Sequence, residues 1–320
     1  MKINIKIPQT IGVILVSSSL IAGGFIWFAR TARAQELLPD YQYEIVEQSV
    51  DPILEPNQPG FLIVKLRNIG AEAWPTYQLY LSSIYFDGTD GRPSSFATSV
   101  WIDQARILID SSINDKENIR SRNVVTFNIP IQAVTRKALY QEYFKLHLGP
   151  MTMSGPMIKW IVQVGNELSY QNVMGKQIQL WLSDQRLWAI ENNVVILDTP
   201  ISSGKSGYNT PKGKYKIIAH IDTAYSSKYH LFMDNWMALA NEQWGFLGYG
   251  LHALPHWKVK QGNRVEGEIK DGRLYTNGKL YEDYTHLGKP MSHGCVRVGI
   301  EPAKILYSWA PNGTPVIISA

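Results

Sequence analysis

Most of the chain shows the alternating or short apolar runs of β-structure rather than the helical repeat. Phe61-Leu62-Ile63-Val64-Lys65-Leu66 lies between Pro59-Gly60 and Asn68-Ile69-Gly70, Tyr77 to Tyr85 alternates aromatic and polar residues, and Val124–Ile129 runs up to Pro130. Such runs bounded by turn residues predict strands. The segments 143–147 and 157–162 predict a late hairpin. A new series opens with Gln177–Leu182, where Ile178, Leu180 and Leu182 share one face. It returns through Arg186–Ile190, turns at Asn192-Asn193 and continues as Val194–Leu197, and the chain ends on a strand at Pro315–Ile318. One short helix is predicted over Glu301–Ala310, with Pro302 in the first turn and Pro311 as the stop. The fold class is therefore mostly β: an N-terminal apolar segment, a β-sandwich over 40–166, and a β-rich region with few short helices over 172–320.

The N-terminal segment has its own pattern. Residues 11–29 contain no charge, which is long enough to cross a bilayer, and they follow Lys2 and Lys6 and precede Arg30. Ala32-Arg33-Ala34 before Gln35 has the form of a cleavage site. Residues 1–34 are thus expected to be either a signal peptide or a membrane anchor, and both put the remainder outside the cytoplasm. No second apolar run of this length follows.

Length and charge narrow the classes. The 320 residues, 45% hydrophobic and 18% charged, suit about two globular domains. The net charge of +4 resides entirely in residues 1–34; from 35 onward basic and acidic residues balance at 27 each. A neutral body argues against nucleic-acid binding, which needs clustered cations. The single cysteine, Cys295, excludes an internal disulfide and a multi-cysteine metal site. No metal and no cofactor is expected. Gly204-Lys205-Ser206 lacks the upstream glycine of a phosphate loop, because position 199 is threonine, and no His-Glu-x-x-His occurs. Ser202-Ser203-Gly204-Lys205 has the Ser-x-x-Lys spacing without its partner motifs.

What remains is Ser292-His293-Gly294-Cys295-Val296-Arg297. A thiol becomes a nucleophile as its thiolate, and an imidazole can take the proton. Gly294 permits close approach of backbone N–H groups to a reacting carbonyl. Arg297, two residues on, projects to the same side of an extended segment as Cys295 and can hold a carboxylate with two parallel hydrogen bonds. On a thiol and a nearby imidazole alone, a buried structural cysteine with a turn-capping histidine is the favoured reading.

The full string resembles the signature of the L,D-transpeptidase (YkuD-type) catalytic domain. Ser203-Gly204, Thr210-Pro211-Lys212-Gly213, Tyr249-Gly250-Leu251-His252, Leu287-Gly288-Lys289-Pro290 and Asn312-Gly313-Thr314-Pro315-Val316 are similar to further family segments, in the expected order. The resemblance implies Cys295 as nucleophile and His252 as base. It also implies that His293 and Gly294 shape the site, with N–H groups near Gly294 and Cys295 holding an oxyanion. Arg297, Ser292 and Tyr249 fall on the substrate side, Arg297 facing a carboxylate and Ser292 fixing the loop rather than reacting. His286 is a rival base. His256 is expected at the surface or in a lid, and His220 and His230 are expected to be structural.

The implied substrate is a peptidoglycan stem peptide. Cys295 would form a thioester with release of D-Ala, and a second stem would complete a 3→3 cross-link. Transfer to water or to a protein by the same site, and a non-catalytic wall-binding scaffold, are the alternatives. One departure is visible: 40 residues, rather than 15 to 20, separate His252 from Ser292. The surplus, about 256–284, holds Gly262, Gly267, Gly272 and Gly278 and is expected to be a hairpin insertion in a surface loop, with room to act as a lid. In the middle region, Pro59-Gly60, Val64–Gly70 and Trp74, with Tyr143-Phe144 and Trp160, resemble an Ig-like domain. Trp74 is expected to plug its core.

Overall fold

A computed structural model describes residues 40–109, 117–241, 243–260 and 262–320. The predicted signal or anchor at 1–34 lies outside the described residues. Among the described residues no helix is long and apolar enough to cross a membrane.

The first half consists of two facing sheets. One is Tyr43–Gln48, Pro59–Asn68 and Val124–Gln132, antiparallel and in that order. In the other, Leu79–Ser83 pairs with Arg106–Leu108 on one side and Ala138–Leu148 on the other. Ile158–Val164 follows, and the short Ile53–Leu54 adds to it in parallel. The predicted alternation sets the core: Leu62, Val64 and Leu66, then Val125, Phe127, Ile129 and Ile131, point inward and meet Leu81, Phe144, Leu146 and Trp160. Each such side chain contributes about 1.5–3 kcal/mol of burial free energy. Trp74 is wholly buried in this cluster, as expected of a core plug. The strand predicted to stop at Pro130 continues to Gln132. It is an edge strand of its sheet, where a missing N–H is tolerated.

The second half closes into a barrel. Gly245–Ala253 pairs with Val296–Val298, which pairs with Val194–Ser202, then Arg186–Glu191, Lys176–Trp181, Pro315–Ser319, Gly213–Ser226 and Leu231–Asn241, and the last pairs back onto Gly245–Ala253. Its interior holds Ile178, Leu180, Leu187, Leu197, Ile217, Leu239, Leu251, Val296, Val316 and Ile318. The predicted helix is Ile300–Trp309 and closes one side through Ala303, Ile305, Leu306 and Trp309.

The two halves share hydrophobic contacts. Val195 pairs with Tyr140 in parallel, extending the barrel strand along the sandwich sheet. Val173, Trp188, Ile190 and Val195 belong to the sandwich core. The Trp188 ring meets Tyr140, Tyr170 and Trp181 edge-on at 5.6, 6.0 and 5.5 Å between centroids. Arg136 lies 3.9 Å from the Trp181 ring centroid and pairs with Asp184.

The insertion is a small β-ribbon: His256–Lys258 pairs with Lys279–Tyr281, which pairs with Arg273–Thr276, which pairs with Ile269–Lys270. His256 is not at the surface. It is 1% exposed and stacks on Phe232, against Tyr281.

Truncating Trp188 opens a cavity in the core that both halves share. Trp188→Ala is expected to lose about 3–5 kcal/mol in denaturant-induced unfolding, with the sandwich and the barrel weakened together.

Candidate active site

The site is built on the parallel pairing of Gly245–Ala253 with Val296–Val298. The register sets Leu251 beside Val296 and His252 beside Arg297. Paired residues of neighbouring strands share a face, so Arg297 and His252 point the same way, and Cys295 sits in the bend immediately before Val296–Val298. All three line one cleft of about 520 Å³, with Tyr249, Ser292 and His293. The sequence-predicted residues therefore converge, although His252 and Cys295 are far apart along the chain.

His252 is 2% exposed. Its Nδ1 lies 2.6 Å from the Ala253 carbonyl oxygen. That oxygen can only accept, so Nδ1 carries the proton and Nε2 keeps a lone pair. Burial, with Arg297 adding to it, pushes the His252 pKa down to about 4, so the ring is neutral near pH 7. Trp236 stacks on it at 5.4 Å and 15°. Gly250 makes room for that indole: a Cβ there would lie 2.7 Å from the Trp236 ring.

Cys295 is half-buried. Its Sγ is 3.9 Å from the Gly248 carbonyl oxygen. Burial raises the thiol pKa, against the opposing pull of the Gly250 backbone N–H and Arg297. At rest the thiol is protonated, and the His252 imidazole in the same cleft is a neutral acceptor.

The nucleophile loop is tied down from several directions. Ser292 Oγ accepts from Gly294 N at 3.0 Å and donates to Cys295 O at 2.5 Å, and Ser292 is 1% exposed. Its hydroxyl proton and one of its two lone pairs are spent on the loop. The same bond corrects the expected role of Gly294, whose N–H is occupied and not offered to an oxyanion. Gly294 instead supplies conformation. Its φ is +118°, and a Cβ would lie 2.5 Å from Tyr249 Cε1. Thr210, in the Thr-Pro-x-Gly stretch, reaches across: its Oγ1 donates to Gly294 O at 2.8 Å and accepts from Gly204 N at 2.9 Å. Ser292 N donates to Ser203 O and Lys205 N to Ser292 O.

The roof of the cleft is the Gly213–Ser226/Leu231–Asn241 hairpin, which contributes Ile221, Tyr225, Tyr229, Leu231, Met233 and Trp236. Among the described residues of 256–284, none lines the cleft. Tyr229 stacks on His293 at 4.4 Å, and Tyr208 meets the same ring edge-on at 4.8 Å. The hairpin aromatics and Trp236 were not foreseen, because nothing local in the sequence ties residues 225–236 to position 293. His286 pairs with Glu282 at 3.6 Å, outside the cleft lining. His220 bonds Asn312 and His230 bonds Tyr225. Arg297 is 7% exposed, and its Nη1 is 2.9 Å from Glu282 Oε2. It already has a carboxylate partner from within the chain. Among the described residues, no group of three or more His, Cys, Asp or Glu can hold a metal ion.

Two stability effects follow. Gly294→Ala should cost about 1–3 kcal/mol from backbone strain and ring overlap. The cost should be smaller in a Tyr249→Ala background, where only the strain remains, as read by chemical denaturation of the four proteins. For His252, the unfolded chain takes up the proton near pH 6.5, whereas the folded ring takes it only near 4. Between those values the unfolded state binds more protons. The contribution is complete above pH 6.5 and is lost as pH falls toward 4, amounting to about 3 kcal/mol. His252→Gln should flatten that part of the stability–pH curve relative to the native protein.

The chain also has likenesses to known proteins. The sequence model of the L,D-transpeptidase catalytic domain family (YkuD) matches residues 175–318. Among solved structures, an L,D-transpeptidase from Stackebrandtia nassauensis is 25% identical with a TM-score of 0.33 over 48% of this chain and 59% of that one. This chain therefore spans less than two thirds of that protein. An L,D-transpeptidase from Mycobacterium smegmatis is 14% identical over 87% of this chain and 99% of that one, and one from Mycobacterium tuberculosis H37Rv is 13% identical over 87% and 98%, both with a TM-score of 0.33. No curated protein matches. Residues 175–318 are thus an L,D-transpeptidase catalytic domain of the YkuD family, preceded by a β-rich region.

Proposed function

We propose that the cleft is the active site of a cysteine-dependent acyltransferase that works on peptidoglycan stem peptides and forms 3→3 cross-links. One observation carries the reading: His252, neutral and with Nε2 unprotonated, lines the same cleft as the thiol of Cys295. A thiol held protonated by burial needs such a base at the moment of attack.

In this reading the Cys295 sulfur attacks the amide carbonyl that follows the L-centre of diaminopimelate in a tetrapeptide stem. His252 Nε2 takes the thiol proton, and the Cys295 backbone N–H holds the oxyanion. The C–N bond to D-Ala breaks, His252 returns the proton to the leaving amine, and a thioester remains. The amine of a second stem then attacks. It gives its proton to His252, the C–S bond breaks, and the thiolate takes the proton back. Water in place of that amine would make the enzyme an L,D-carboxypeptidase, and a protein amine would attach the protein to the wall.

The substrate supports a location outside the cytoplasm, in the cell wall or periplasm, in keeping with the apolar segment 11–29. The chain is read as a sandwich over 40–166 and a catalytic domain over 172–320. The two facing sheets, with Ile53–Leu54 added in parallel beside the last strand, support an Ig-like reading of the sandwich. Its role is that of a spacer carrying the cleft toward the wall.

Incubation of the purified protein with disaccharide-tetrapeptide, followed by mass spectrometry, should give a cross-linked dimer. Cys295→Ala should give none, and His252→Gln should acylate roughly 100- to 10,000-fold more slowly. A carbapenem should leave a covalent adduct on Cys295. Absence of both product and adduct would overturn the enzymatic reading, and tripeptide without dimer would mark a carboxypeptidase.

A further inference from the structure

None of the insertion's described residues lines the cleft, yet it delivers one side chain to the cleft's back wall. Glu282 follows its last strand, Lys279–Tyr281, and its Oε2 lies 2.9 Å from Arg297 Nη1. Both side chains are buried, 13% and 8% exposed. Arg297 lines the cleft and Glu282 does not, so the carboxylate approaches the guanidinium from behind.

Its position is anchored. Glu282 N donates to Pro255 O at 2.8 Å, and Tyr284 N to Gly272 O at 2.9 Å. One turn of strand earlier, Asp234 of the roof hairpin grips the insertion. Its Oδ2 accepts from Lys279 Nζ at 2.8 Å and from Tyr281 OH at 3.2 Å, and lies 3.2 Å from His256 Nε2. The other groups facing Glu282 are His286, 3.6 Å from Oε1, and Arg273.

A guanidinium stays charged at any ordinary pH. Out of water, an unpaired one is costly, and an adjacent carboxylate brings the pair to neutrality. A substrate carboxylate arriving at Arg297 would meet a cation already balanced. Two carboxylates would then share one guanidinium in a half-desolvated wall, where like charges repel strongly. An uncharged group bonds the free guanidinium N–H donors without that repulsion.

We propose that Glu282, supplied by the insertion, is a specificity-determining residue: it cancels the charge of Arg297 and favours an acyl donor that presents an uncharged group there over one that presents a carboxylate. This rests on the acyl transfer proposed above and changes the expectation that Arg297 recognises a carboxylate.

The test uses two synthetic tetrapeptide donors that differ only in the side-chain carboxyl of diaminopimelate, free in one and a carboxamide in the other. Cys295 acylation is followed by mass spectrometry to obtain kcat and KM for each donor. The native protein should favour the carboxamide. Glu282→Gln should shift the ratio of kcat/KM toward the free carboxylate by roughly tenfold, the scale of one charge interaction, mainly through KM. Glu282→Asp, which keeps the charge, should retain the native ratio. A Glu282→Gln protein in which both donors change in parallel, or in which the ratio moves toward the carboxamide, would overturn the proposal. No acylation by either donor in the native protein would overturn the reaction itself, and this inference with it.

Discussion

Two short parallel strands, 251–253 and 296–298, decide where the chemistry sits. Their register sets His252 beside Arg297, and Cys295, in the bend that leads into the second strand, opens into the same cleft. A slip of one residue would turn His252 to the opposite face. The pairing is protected by what surrounds it: Leu251, Val296 and Val298 are buried in the barrel core, and the next strand, Val194–Ser202, pairs with Val296–Val298 from the other side. The site inherits its precision from a hydrophobic core that has no chemistry of its own.

On that base, small residues make room and polar ones lock the loop. Gly250 admits the Trp236 indole over His252, and Gly294 takes a backbone conformation and a ring contact that a side chain would forbid. Thr210, Ser203 and Lys205 come from a segment more than 80 residues earlier and bond the 292–295 loop directly. Burial then acts on both partners in the same sense. It raises the thiol and lowers the imidazole, so both are uncharged in the empty cleft. Such a pair avoids the desolvation cost of a buried thiolate and imidazolium until a substrate is present.

The two halves of the molecule meet in a shared aromatic core around Trp188 and in one continued sheet. The insertion sits on the opposite logic. It adds little to the core, and its ribbon is held by charged and aromatic contacts to the roof hairpin, with Asp234 at their centre. Through Glu282 it reaches the guanidinium at the back of the cleft.

Much of this was legible before any coordinates. Apolar runs between turn residues located strands within 59–68, 124–129 and 176–202, and flanking prolines located the helix at 300–309, because half-buried sheets and helix ends leave local traces. The string 292–297 and the segment 249–252 marked the thiol, the imidazole and the arginine that line the cleft, since reactive groups need particular residue types at particular spacings. Contacts between distant segments left no such trace. The occupation of Gly294 N–H by Ser292, the roof made by 213–241 rather than 256–284, the burial of His256 and the pairing of Arg297 with Glu282 depend on which surfaces the barrel brings together. The sequence by itself determined the element types and the reactive side chains, because those follow from local periodicity and chemistry. The tertiary structure alone decided which hydrogen bonds and charges were already spent, because closure of the barrel juxtaposes residues that no local pattern relates.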